Sequence, residues 1–472
     1  MSRPDPRQPE PIAQNVCFDP ELIERYGGRG PRYTSYPTAL QLDEAFTVEQ
    51  YLQAVSLSNK SGRPLSLYVH IPFCESLCYY CACNKIVTRN AERVDKYVRC
   101  LYREIEQQAA LFDDDRVVEQ LHFGGGTPTY LSNEQLCDLM THLAGAFRLD
   151  TSDRHEFSIE VDPRTVDANS IQVLAGLGFN RLSLGIQDFA PDVQEAVNRI
   201  QSAEKVIALM EQARSLSFRS ISFDLIYGLP HQTVDSFDRT LDQVIDMRPD
   251  RLAVYNYAHL PTRFKGQRMI AEGDIPLAET KLKILQHTIN KVCDAGYIYI
   301  GMDHFALPGD ELVRAQRDNT LQRNFQGYST HSDCDLIGLG VSSIGKIGNT
   351  FAQNTTKTSE YEELIEAGTL PLKRGFAVDA DDQLRAKVIQ ELMCHDQLAF
   401  AEFGKQNNIN FAEYFAPELT RLGPLVDDGL ITLGSEGIHI TPRGRLLLRS
   451  IAMTFDRYLA DDLSDGRYSK AI

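Results

Sequence analysis

Four of the ten cysteines fall within ten residues, at Cys74, Cys78, Cys81 and Cys83 of the segment PFCESLCYYCACNK, while Cys17, Cys100, Cys137, Cys293, Cys334 and Cys394 are scattered. The spacing is C-x3-C-x2-C, then one residue, then Cys83. Three chemistries compete for it. Four thiols this dense would be unusual as plain core. A zinc site would join three thiolates to Cys83 or His70, but zinc knuckles pair two separated ligand sets and no second pair follows. An iron–sulfur loop fits better, because three closely spaced thiolates can hold three irons of a cubane. The fourth iron then stays open to an exogenous ligand, which marks a cluster that does chemistry rather than storing electrons. Cys83 stands too close to Cys81 to be an easy fourth ligand and is read as lying beside the cluster or the substrate. The pair Tyr79-Tyr80 packs around the loop or shields the cluster from water.

Such a loop needs a rigid base. From about residue 62, short apolar runs alternate with amphipathic segments. The runs are LSLYVHIP (65–72), QLHFGGGTP (120–128), FSIEVDP (157–163), RLSLGIQ (181–187), SISFDLIYGLP (220–230) and RLAVYNYAHLP (251–261), with YIYIGMDHF (297–305) as a candidate seventh. Between them lie helical patterns such as 94–112 and 234–247. Alternating strand and helix predicts parallel βαβ units. Six or seven strands make either an incomplete barrel or an open doubly wound sheet, and in both function collects at the carboxyl ends of the strands. His70, Gly125, Glu160, Gln187, Asp224, Asn256 and His304 stand at those ends. Strand alternation puts Ser158, Glu160 and Asp162 on one face, where a carboxylate meets a ligand or bridges Arg181 or Arg199. GGGTP (124–128) allows close backbone approach to a ligand, or is simply a tight turn.

The flanks differ. Pro4, Pro6, Pro9 and Pro11 keep the start irregular. GGRGPRYTSYPT (27–38) reads as a surface loop or a strap over substrate. After about residue 375 helices alternate with two short strands around a Gly turn, a winged-helix-like pattern. From Asp379 onward 15 acidic residues face 10 basic ones, net −5, which suits a structural or substrate-covering role rather than phosphate reading. Three segments are expected: an arm and helix over 1–60, a barrel over 61–331, and a C-terminal domain over 332–472.

The 472 residues carry 48 Lys+Arg against 65 Asp+Glu, net −17. That balance argues against nucleic acid or anionic membrane as the main partner. No apolar run is long enough to span a bilayer, and the polar start has no signal-peptide core. A cytoplasmic address with reduced thiols is expected.

C-x3-C-aromatic-x-C after a first barrel strand resembles the radical S-adenosylmethionine superfamily. RYTSYPT, SLYVHIPFC, CNKIVTR, GGGTPTYL, SIEVDPR, RLSLGIQDF, FDLIYGLP, YNYAHLPT, GMDHFA, NFQGY and GRLLLR together resemble the oxygen-independent coproporphyrinogen III oxidase (dehydrogenase) family. The similarity runs from about residue 22 to the end. The rival is the related haem-chaperone branch, in which the family pattern has Phe where this chain has Cys83 and lacks the RYTSYPT arm. A zinc hydrolase or nucleic-acid module is the remaining alternative.

The resemblance implies an α/β fold: an incomplete parallel (β/α)6-type barrel with an N-terminal arm and a mainly helical, winged-helix-like C-terminal domain. It implies a [4Fe–4S] cluster on Cys74, Cys78 and Cys81 and two molecules of S-adenosylmethionine. Cofactor contacts carry over to Tyr68, Gly125, Gly126, Thr127, Glu160, Gln187, Arg199, Asp224, Ala258 and Ile344, several through backbone. The family converts two propionates of coproporphyrinogen III to vinyls by a 5′-deoxyadenosyl radical, giving protoporphyrinogen IX. A reduced donor such as a flavodoxin or ferredoxin and a monomeric state are also implied. Arg29, Arg32, Lys85, Arg89 and Arg268, with Tyr33 and Tyr36, are candidates to hold the substrate's carboxylates.

Overall fold

A computed structural model describes residues 16–325, 327–331 and 334–459. The prolines at 4, 6, 9 and 11 lie outside the described residues. Six parallel strands follow one another in order: β1 Leu65–Ile71, β2 Val117–Gly125, β3 Glu156–Val161, β4 Arg181–Gln187, β5 Ser220–Tyr227 and β6 Arg251–Asn256. Each sits on the segment its hydrophobic run predicted. Side chains alternate across a strand, and the burial pattern shows which way each faces. Leu182, Leu184 and Ile186 of β4 are buried, whereas Ser183, Gly185 and Gln187 line a cavity at the strand ends. In β5 Phe223 and Leu225 are buried while Asp224 and Ile226 face that cavity.

Helices between the strands begin at side-chain caps. Thr47, Ser132 and Thr233 each form a capping box with Gln50, Gln135 and Ser236. These boxes satisfy backbone donors that a helix start leaves unpaired. The long helix Ala91–Ala109 buries Val94, Tyr97, Val98, Leu101 and Ile105 at helical spacing.

Sequence periodicity misplaces the seventh strand. Residues 297–305 form an antiparallel hairpin, Ile298–Gly301 with His304–Ala306, turning at Met302 with φ +54°. The seventh parallel strand is β7 Asp335–Leu339, which pairs with the free edge of β1. It continues antiparallel into β8 Ile344–Ile347, β9 Thr350–Asn354 and β10 Leu372–Ala377. Five residues containing a glycine, with no helix between β7 and β8, carry too little periodicity to stand out. Arg116 locks β7 in place. Its buried guanidinium donates to Asp335 Oδ2 at 3.0 Å, Ser58 Oγ at 2.6 Å and the Arg63 carbonyl at 2.7 Å.

Compactness divides the chain into two units that are discontinuous in sequence. One holds residues 37–281 and 331–383, the six-stranded barrel and the β7–β10 extension. The other holds the described residues within 1–36, 282–330 and 384–472. Within this second unit Gln397–Ala399, Gly437–Ile440 and Ile431–Leu433 form a three-stranded antiparallel sheet beside short helices, as a winged-helix pattern requires. Phe411 and Phe415 lie in its core with Tyr33 and Tyr36 of the arm. Tyr33 donates to Asp456 at 2.9 Å, Arg449 Nε to the Pro31 carbonyl at 2.9 Å, and Arg32 pairs with Asp303. The arm up to Tyr36 is therefore pinned by its own buried side chains within this unit.

No helix among the described residues is long and apolar enough to cross a membrane.

Candidate functional site

The cysteine loop leaves β1 at Pro72 and is tied at its base. Ile86 N donates to the Pro72 carbonyl at 2.7 Å and Thr88 N to the Cys74 carbonyl at 3.2 Å, closing a short parallel pair, Phe73–Cys74 with Ile86–Val87. The middle is tied as well. Tyr79 N donates to the Val197 carbonyl at 3.0 Å, and Asn198 Nδ2 to the Leu77 carbonyl at 2.8 Å. Tyr79 and Tyr80 pack against the small cluster of Val193, Val197, Leu229, Tyr257 and Ile270. Gln267 is buried between this loop and the segment after β6. It donates to the Tyr80 carbonyl at 3.0 Å and the Ala258 carbonyl at 3.1 Å and accepts from Leu260 N. Sequence reasoning missed Gln267, which stands in an irregular stretch with no periodicity. Gln267→Ala would leave two carbonyls without their donor, a cost of about 1–3 kcal/mol. The expected result is a lower thermal midpoint and weaker iron retention after reconstitution, checked by unfolding and iron analysis.

A cavity of ≈ 460 Å³ opens above the strand ends. Its lining includes Cys74, Cys78, Cys81 and Cys83, together with Gly125, Gly126, Thr127, Glu160, Gln187, Arg199 and Asp224. Seven of the ten predicted cofactor residues thus share one wall with the four cysteines. Tyr68, Ala258 and Ile344 are not in that lining. The Tyr68 hydroxyl donates to His70 Nδ1 at 3.1 Å, because His70 Nε2 must donate to the Asn84 carbonyl, also at 3.1 Å. The Ala258 carbonyl accepts from Gln267, and Ile344 pairs with Gln353 in β8–β9. Of the substrate cations, Lys85 and Arg89 line the cavity, while Arg268 Nε donates to the Pro261 carbonyl at 3.0 Å.

Glycine is required at the turn after β2. At Gly125 φ is +124°, and a Cβ there would meet the His70 ring at 2.8 Å. At Gly126 it would meet the Pro72 carbonyl oxygen at 2.6 Å. The turn therefore presses against the root of the cysteine loop. Gly125 N donates to Glu160 Oε2 at 3.1 Å, and Thr127 Oγ1 lies 3.5 Å from Cys74 Sγ. Gln187, at φ +67°, bends the end of β4 toward the cavity, a strained backbone of the kind found at functional sites.

Charge is organised in two groups. Arg199 pairs with Asp162 at 3.0 Å, not with Glu160, and Arg181 pairs with Glu156 at 3.3 Å. Arg164 also pairs with Asp162, at 2.7 Å. Burial alone would raise the Asp162 pKa, but Arg199 and Arg164 hold it below the usual carboxylate range. Both guanidiniums donate to Cys78 Sγ, Arg164 at 3.3 Å and Arg199 at 3.6 Å, and so orient that sulfur in the cavity. Arg164 was missed although it stands in the motif SIEVDPR. A hydrogen bond from Cys83, aided by Lys85, lowers the Cys81 thiol to about 6, whereas burial pushes Cys74 up to about 11.

The second group is acidic. Burial, then the charge of Glu160, pushes Asp224 up to about 7 against a hydrogen bond from Ser183 at 3.0 Å. Two carboxyls that resist joint ionisation favour a cationic guest. With no ligand present, the native state holds this proton more tightly than the unfolded chain. Stability should therefore fall as pH rises from about 4 to about 7. Asp224→Asn is expected to flatten that slope by roughly tenfold or more in the folding equilibrium, read from urea unfolding at several pH values.

These residues fit an iron–sulfur cluster with a cationic sulfonium ligand. All four cysteines are free thiols. Among the described residues, three ligand atoms mutually within 4.8 Å occur at Glu119, His331 and Cys334 and not at Cys74, Cys78 and Cys81. Three free thiols on one tied loop, beside a repelling carboxyl pair in the same cavity, are a donor set that suits such a cluster and its cationic ligand.

Comparison with known proteins agrees. The Radical SAM superfamily profile matches residues 68–244 and the HemN C-terminal domain profile residues 378–447. The chain is 52% identical over 461 residues to the oxygen-independent coproporphyrinogen III oxidase of Pseudomonas aeruginosa, covering 98% of this chain and 100% of that one. It belongs to the oxygen-independent coproporphyrinogen III oxidase family. The Escherichia coli member is 49% identical, covering 97% of this chain and 99% of that one. The crystal structure described as the Escherichia coli coproporphyrinogen III oxidase, a radical SAM enzyme, superposes with TM-score 0.90 at 48% identity, covering 94% of this chain and 100% of that one. The chain thus has the radical SAM α/β fold in its barrel and shares the fold of that whole enzyme over 94% of its length, and these relatives carry the oxidase name rather than that of the haem-chaperone branch.

Proposed function

We propose that this chain converts coproporphyrinogen III to protoporphyrinogen IX without oxygen. Each of two propionates loses a β-hydrogen and carbon dioxide, with two electrons and a proton released overall, leaving a vinyl group. The carrying observation is the meeting of three cysteines, two arginines on Cys78 and a repelling carboxyl pair in one cavity at the barrel's strand ends.

When bound, a [4Fe–4S] cluster and S-adenosylmethionine supply a 5′-deoxyadenosyl radical able to take hydrogen from an unactivated carbon. Cys74, Cys78 and Cys81 would hold three irons. Arg164 and Arg199 would orient the Cys78 sulfur through their hydrogen bonds to it. Gly125, Gly126 and Thr127 would let the methionyl end approach backbone closely. Glu160 and Asp224 would orient the cationic ligand, and Gln187 would add a polar contact. Tyr68, Ala258 and Ile344 remain in the proposed cofactor set on the family resemblance alone. Lys85 and Arg89 are placed to attract propionate carboxylates. The barrel walls exclude water from the reacting carbon.

A second S-adenosylmethionine beside Cys83, a flavodoxin or ferredoxin donor, a monomeric state, a cytoplasmic setting and a three-segment organisation (1–60, 61–331, 332–472) belong to the same reading. Its test is anaerobic incubation with S-adenosylmethionine, reductant and coproporphyrinogen III. Chromatography should show the divinyl product. Haem binding without any decarboxylation would replace the enzyme reading with the transfer one.

A further inference from the structure

At the opposite, amino-terminal end of the barrel strands lies a second group of metal-ligating side chains. Ligand atoms of Glu119, His331 and Cys334 all fall within 4.8 Å of one another, and all three residues are partly buried. Glu119 is on β2, and Cys334 immediately precedes β7. His331 Nδ1 lies 3.8 Å from Glu119 Oε2, and Nε2 lies 3.8 Å from Glu156 Oε2. The first approaches the separation of two ligands across one tetrahedral zinc, roughly 3.3–3.8 Å for metal–ligand bonds of about 2.0–2.3 Å.

The second ring nitrogen faces a carboxylate, the kind of group that orients a metal-bound histidine. Glu156 is 8% exposed, the first residue of β3, and its carboxylate is held by Gln120 at 2.9 Å and Arg181 at 3.3 Å. On closing from 3.8 Å to hydrogen-bond distance this carboxylate would keep the proton on Nε2 and direct Nδ1 to the metal, the arrangement of carboxylate–histidine–zinc triads.

We infer that Glu119, His331 and Cys334 form a site for zinc or a similar borderline divalent cation. One carboxylate, one imidazole and one thiolate make a donor set of that class. The ion would staple the segment entering β7 to β2, across the amino end of β1, which pairs with both strands. Its role is structural, because it stands at the strand ends away from the cavity.

The test uses holoenzyme with its iron–sulfur cluster loaded, so that Cys74, Cys78 and Cys81 are already occupied. Wild type, Cys334→Ser and His331→Gln are equilibrated with micromolar zinc, desalted, and analysed for zinc and iron. The site predicts about one zinc per chain in wild type, at least tenfold less in both variants, and equal iron in all three. Zinc should also raise the thermal midpoint of wild type alone. Since the three residues are only partly buried, both variants should fold and keep wild-type turnover. Equal zinc in wild type and variants, or none in wild type, would overturn the assignment and leave His331 as a surface histidine between two carboxylates.

Discussion

Serine at Cys74, Cys78 or Cys81 should lower both bound iron and deoxyadenosine release more than about 100-fold. Removing a mere hydrogen-bond partner of a metal ligand already costs about 10–100-fold, so losing the ligand itself must cost more. A serine hydroxyl stays protonated near neutral pH and offers a hard oxygen where iron–sulfur chemistry wants thiolate. Cys78 is the most informative of the three. Arg164 and Arg199 approach its sulfur at 3.3 and 3.6 Å, and without the sulfur these two guanidiniums lose one of their hydrogen-bond acceptors. Iron and sulfide analysis under argon, alongside deoxyadenosine quantified by chromatography, checks the result. Wild-type deoxyadenosine release from any single variant would show that the cluster is not held by this triad.

Arg116→Ala should destabilise the barrel unit by about 3–5 kcal/mol, the usual loss when one partner of a buried ion pair is removed. The Arg116 and Asp335 side chains are 1% and 3% exposed. Asp335 keeps the Gly348 N–H at 2.8 Å and the Ser58 hydroxyl, but no longer has its cation. Asp335 is also the first residue of β7, and β7 flanks the strand from which the cysteine loop departs. The loss should therefore appear as a lower urea midpoint and, on partial unfolding, as early release of iron. Urea unfolding followed by circular dichroism and by visible absorbance reads the two separately. A change below about 0.5 kcal/mol, typical of surface substitutions, would remove Arg116 from this role.

Local chemistry was legible in the sequence alone. Three cysteines at C-x3-C-x2-C, six strand runs and the glycine turn at 124–126 are short-range patterns, and each describes its own segment. Strand alternation likewise turned Glu160, Gln187 and Asp224 toward one cavity, because side chains switch faces every residue. Tertiary structure alone decided who meets whom. Arg199 chose Asp162 over Glu160, Asp224 came to rest buried near the charge of Glu160, and Gln267 reached back to the Tyr80 carbonyl. β7 took the open edge of β1, and Glu119 met His331 and Cys334 from far along the chain. Periodicity records only neighbours along the chain, whereas burial, ion pairing and shared ligands depend on which distant segments the barrel brings within a few ångströms.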